Sequence, residues 1–351
     1  MTNVKQTMDE SQPFSASLVD RLNNWVKQLP VPAGIFFALL GLVLISVQVL
    51  FFWLEGDSQD LTILLPVLVF NGLFIPYPLG LIYLLDHQAV QALEATRPTL
   101  DINEVNLEQY AYRLANMPGR SALVAGLGLV LFTVLTEQVG MVPRSYALLD
   151  QLPYFNVLFQ IIDKGSAFFF GVLIYHTIRQ LRLINTINLQ YTRINLFNLS
   201  PLQAFSRVTS TTAVGLVFGV YGWILINPEL LVDPITIGFV VIISLLAVAV
   251  FVWPLYGVHR RMETEKEKML NDLDLHFEAA FAEFNQGLRN RDDAAIERQN
   301  GVIASLETQH NRIKAIPTWP WKPETVQFVI TAITLPMILA ILQVIIEQAF
   351  G

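Results

Sequence analysis

Long apolar runs alternate with short polar gaps along this chain, and the runs have the length of a bilayer. About 20 apolar residues, rising about 1.5 Å each, cross a hydrocarbon layer of about 30 Å. Seven stretches approach or meet that length: 33–54, 61–85, 120–136, 155–178, 208–227, 235–256 and 325–348. Backbone in lipid must bond to itself, so each Leu-, Val-, Ile- and Phe-rich stretch is predicted to be a helix. The third is short and the fourth carries charges.

The polar segments follow a helical period too. Over 14–29, Leu18, Leu22, Trp25, Val26 and Leu29 fall on one face, as in a helix lying in the headgroup layer, and Pro30-Val31-Pro32 ends it. Residues 1–12 are polar and expected to be disordered. Residues 86–119 prolong the second span, and a short helix after Pro98 carries Val105, Leu107, Tyr110 and Leu114 at packing intervals. Residues 181–201 are amphipathic and predicted to run along the inner surface. In the largest polar segment, 258–324, Leu270, Leu273, Phe277, Phe281, Phe284 and Leu288 recur at spacings of three and four. Gly287 and Asn290-Arg291-Asp292-Asp293 interrupt the repeat, and Ile296, Ile303, Leu306, His310 and Ile313 resume it. That pattern predicts an antiparallel, coiled-coil-like helical hairpin. Pro317-Thr318-Trp319-Pro320-Trp321-Lys322-Pro323 ends its second arm and sets two tryptophans at the membrane interface.

Charge gives this pattern a direction. Of the 22 Lys and Arg, 20 fall in alternate gaps: before span one, between two and three, four and five, and six and seven. Arg144 falls opposite and Lys164 lies within span four. The positive-inside rule places the N-terminus in the cytoplasm and the C-terminus outside. The expected fold is therefore all-α and polytopic, with about seven transmembrane helices. Residues 1–32 form a cytoplasmic tail and interfacial helix. Residues 33–257 form a six-helix membrane region with cytoplasmic loops at 86–119 and 179–207. Residues 258–324 form the cytoplasmic hairpin, and 325–351 hold the last transmembrane helix. The first 30 residues show no short apolar core, so span one is expected to serve as an uncleaved signal in a bacterial-type inner membrane.

Composition narrows the chemistry. The chain is 53% hydrophobic and only 15% charged, against about 25% charged in a soluble domain. Without cysteine it has no disulfide, thiolate ligand or cysteine nucleophile. Gly126-Leu127-Gly128 lies inside span three without the rest of a dinucleotide fingerprint, and there is no Walker-type lysine loop. Ten basic residues around the hairpin are matched by twelve acids, which makes a solvated face and gives no nucleic-acid patch.

Three groups of residues hold candidate chemistry. Span two reads Pro66-Val67-Leu68-Val69-Phe70-Asn71-Gly72-Leu73-Phe74-Ile75-Pro76-Tyr77-Pro78. Such interrupted helices bind substrates in transporters, though a kinked helix packed on its neighbours has the same signature. Span four holds Asp163 and Lys164. Neighbours on a helix point about 100° apart and need not pair, and Lys164 is expected to snorkel to the outer surface. A deeper placement would line a polar cavity, with Asn71 and Glu137 as further members. His87, His176 and His259 end spans two, four and six at the cytoplasmic interface, where they and Asp86 would form a metal site if those helices were neighbours.

The chain is accordingly expected to be a non-enzymatic membrane module without a cofactor. Its hairpin is expected to serve interaction, scaffolding or sensing, with a protein partner or a second copy engaged through 258–316. The alternatives are a channel or transporter built on span two and a membrane metalloenzyme built on the histidines.

Overall fold

The computed structural model describes residues 13–55, 58–138, 149, 151–226 and 234–350. The expected disorder of 1–12, Arg144 and the gap between spans five and six lie outside them. The described residues are helical and contain no strand, with isolated bridges only between Ala16 and Pro118 and between Leu100 and Thr192. The helices are α1 (Leu18–Val26), α2 (Ala33–Glu55), α3 (Ser58–Leu73), α4 (Pro76–Thr96), α5 (Glu104–Ala115) and α6 (Gly119–Gln138). They continue as α7 (Pro153–Gln190), α8 (Ala204–Ile226), α9 (Pro234–Asn290), α10 (Asp293–Lys314) and α11 (Pro323–Phe350).

Four segments among the described residues are long and apolar enough to cross a membrane: Ala33–Glu55, Leu64–Thr99, Gly119–Gln138 and Pro153–Gln190. The stretches read as spans five to seven are helical too, in α8, α9 and α11. The second span is two helices, α3 and α4, parted by a turn at Phe74 and Ile75. Pro76 and Pro78 have no N–H to return to the Gly72 and Phe74 carbonyls, so the ladder stops there. Leu64–Thr99 is the best buried of the four, 56% against 11% for Gly119–Gln138, so α4 is central and α6 peripheral. The largest core cluster joins Leu79, Ile82 and Leu85 of α4 to Leu173 and Ile184 of α7, Phe205 and Val208 of α8, and Phe251 of α9. Glycines bring helices close. A Cβ on Gly171 would lie 2.5 Å from the Ala125 carbonyl oxygen, so α6 and α7 touch backbone to backbone.

The basic gaps meet at one end. The Ser17 amide donates to the Met117 carbonyl at 3.1 Å, and the Tyr112 hydroxyl to the Phe14 carbonyl at 2.9 Å. The Asp101 amide donates to Tyr191, and the Arg193 amide to Thr99, both at 2.7 Å. Leu196 and Leu202 then pack on Val258 and Met262 at the base of the α9 arm. Glu55 lies at the other end of α2 and accepts from the Tyr154 and Phe155 amides, which start α7.

Several sequence expectations change in detail. Residues 181–190 are the end of the 38-residue α7, with Leu181, Ile184 and Ile187 buried, and do not start a surface helix. In α5, Leu107 and Leu114 are buried while Val105 is exposed. On α1 the buried face is Val19, Asp20, Asn23 and Val26, whereas Leu18 is 74% exposed and Trp25 also faces out. The buried face therefore mixes two valines with two polar side chains, and two large apolar residues are left uncovered.

Helix α9 runs 57 residues without interruption, about 85 Å at 1.5 Å per residue. After a turn with Arg291 at φ 51, α10 runs back along it. Gln299 bonds Glu283, His310 Nδ1 stands 3.7 Å from Asp274, and the Lys266 ammonium donates to the Lys314 and Ile316 carbonyls. The inward stripe of α9 is Leu273, Ala280 and Gly287, with Phe277 and Phe284 half-buried. Phe281 and Leu288, expected in the seam, are 44% and 50% exposed.

Candidate functional site

Polar side chains gather at two depths along α7, and a third group lies between α2 and α3. In the first third of α7, the Lys164 ammonium pairs with Glu137 of α6 and, at 2.9 Å, with Asp163. The adjacent pair, which helix geometry did not oblige to meet, is joined because the long lysine stem bends back to its neighbour. All three side chains keep partial exposure near the C-terminal end of α6, so the group lies at that end of the α6–α7 contact. Asn71 is elsewhere: its amide donates to Gln48 Oε1 at 3.0 Å, and Gln48 donates to the Leu44 and Leu68 carbonyls. This buried pair ties α2 to α3, and Gly72 beside it admits Ile45 and Gln48.

Twelve residues along α7 from Lys164, about 18 Å, stands His176. Its Nε2 is 3.1 Å from Asp86 Oδ1, and the two side chains are 0% and 2% exposed. The two atoms are buried against each other, and neither has another hydrogen-bond partner. Asp20 and Lys27 lie within electrostatic reach of Asp86. Asp20 Oδ2 accepts from the Ser17 and Met117 amides at 2.8 and 2.9 Å, completing the α1 capping box and pinning α1 to the turn before α6. Gln180 reaches the Leu114 carbonyl at 3.0 Å, and Arg179 the Arg113 and Asn116 carbonyls at 2.6 Å. Asp20 Oδ1, both polar atoms of Asn23 and Gln180 Oε1 are buried without a partner.

An aromatic layer separates these depths. Phe170 of α7 meets Phe74 at 4.6 Å and Tyr77 at 6.2 Å, beside the break in the second span. Tyr77 donates to the Gly215 carbonyl at 2.6 Å and lies 5.9 Å from Phe218. The polar groups therefore occupy separate compartments.

The three histidines also part company. His87 is exposed with Gln91 at 2.9 Å, and His259 stacks on Trp319 at 3.8 Å and 3°. Trp319, Trp321 and Phe251 extend that stack, so the tryptophans expected at the interface clamp the base of α9. Among the described residues no three His, Asp or Glu side chains gather as metal ligands. No family model, curated protein or solved structure matches the chain. Its function rests on this geometry alone.

Sequence reasoning singled out His176, Asp86 and the Asp163–Lys164–Glu137 group, and each has a buried or ionic partner here. It passed over Asp20, Asn23, Gln48 and Gln180. Ser17 three residues before Asp20 was a usable signal for the capping box. Nothing local marked the others.

Proposed function

We propose that the chain is a non-enzymatic membrane module. It crosses the cell membrane seven times, N-terminus inside and C-terminus outside, and presents the coiled-coil-like hairpin of 258–324 to a protein partner or a second copy. The observation that carries this is α9, which continues unbroken from an apolar stretch into an exposed arm with Phe281 and Leu288 uncovered. A rigid helix of that kind passes a tilt at one end to the other. The orientation is supported by the mutual contacts of the basic gaps at one end.

Crosslinking tests this in cells, because the Cys-free chain accepts single cysteines without competition. Cysteine at Phe281 or Leu288 is expected to capture a partner or a second copy. Capture of neither would sink the module. A channel or transporter would draw on the break at Phe74–Ile75, but the aromatic layer and the Gln48–Asn71 pair weigh against a polar path. The metalloenzyme reading loses its motive because His87, His176 and His259 have different partners.

A further inference from the structure

Where α7 ends against α9, a cleft of about 400 Å³ opens, lined by Asn185, Leu189, Trp253, Tyr256, Arg260 and Arg261. We infer that it is a binding site for one anionic phospholipid of the cytoplasmic leaflet. The inference rests on the membrane reading above.

The cleft is amphipathic along its length. Trp253 and Arg260 are seven residues apart on one side of α9, so an apolar end and a cationic end are separated by about 10 Å. Leu189 and the exposed rings of Trp253 and Tyr256 supply a surface for glycerol and the first acyl carbons. Tryptophan and tyrosine favour that depth. Gly257 lets the helices meet, since a Cβ there would lie 2.6 Å from Leu189 Cδ2.

The cationic end suits a phosphate diester. Arg261 Nη1 donates to the Asn188 and Leu189 carbonyls at the end of α7 at 2.8 and 3.2 Å, which fixes its guanidinium at the rim. Arg260 is exposed beside it and has no acidic partner among the described residues. The nearby acids approach other groups: Glu263 stands 3.9 Å from His259, and Glu265 3.5 Å from Lys268. One anchored and one free guanidinium therefore face a lipid-level cleft; an arginine fork matches phosphate oxygens, and the positive charge favours a head group that carries no cation of its own. A free inorganic anion would use the arginines but gain nothing from the aromatic floor.

Native mass spectrometry of the full chain in detergent tests this, with phosphatidylglycerol and phosphatidylcholine supplied equally. The protein is expected to retain one phosphatidylglycerol about fivefold more than phosphatidylcholine. Arg260→Gln should abolish that preference at unchanged helicity, and Arg260→Lys should keep only the part that charge alone supplies. Trp253→Ala should weaken retention with the charge intact. Equal preference in Arg260→Gln and the parent, unchanged retention in Trp253→Ala, or displacement of the lipid by millimolar inorganic phosphate would each overturn the assignment. Arg261 stays unaltered because it holds the end of α7. Retention in detergent does not depend on which side the arm occupies, so this test fails or succeeds separately from the orientation.

Discussion

Asp86 and His176 are shut away from water with only each other at close range. Removing one partner of such a pair leaves the other buried and uncompensated, whereas removing both leaves an apolar hole. His176→Leu is expected to cost about 3–5 kcal/mol, and Asp86→Leu/His176→Leu to cost less than the single change. Denaturant unfolding of both singles and the double in detergent would measure this, and a double variant costing the sum of the two singles would show that the pair is not coupled. The same scale explains what the sequence hid. Glu137 was a candidate companion of Lys164, but it lies 27 positions away, and only the packing of α6 on α7 brings the two together. Glu55 sits in an acidic loop, and only the fold shows it satisfying the free amides that begin α7.

Helices here are decided by where small residues fall. Gly171 faces α6 backbone, whereas Gly128 faces open space. Gly171→Leu should therefore force α6 and α7 apart and lower stability by about 1–3 kcal/mol. Gly128→Leu should change it by less than about 0.5 kcal/mol, and equal effects in a thermal unfolding series would contradict the close crossing. The arm obeys the same rule. A three-four repeat of large apolar residues ran through Phe281 and Leu288, yet Ala280 and Gly287, one position earlier, face α10. Large residues on two adjacent stripes satisfy the period equally. Close approach of the helices selected the stripe with the small side chains, and a Cβ on Gly287 would already stand 3.3 Å from Ile296.

The whole molecule has two polar ends with different residents. Segments rich in Lys and Arg, distant in sequence, bond to one another at one end, while Glu55 meets the start of α7 at the other. With the proposed orientation, Tyr154→Cys should react with an impermeant maleimide on intact cells, and Ser305→Cys only after permeabilisation. Reaction of Ser305→Cys from outside would reverse the orientation. Leu18 and Trp25 facing out from α1 fit the end that meets headgroups, since apolar surface there is covered by lipid.

Period and charge along the chain were enough for helical runs, their approximate ends and the clustering of basic gaps, because each depends only on residues near in sequence and on the thickness of a bilayer. Partners were another matter. Which histidine met Asp86, which stripe of the arm turned inward and which face of α1 was buried all depended on groups tens to a hundred residues away. Desolvation and close packing are settled between surfaces in contact, and the chain brings those surfaces together only by folding.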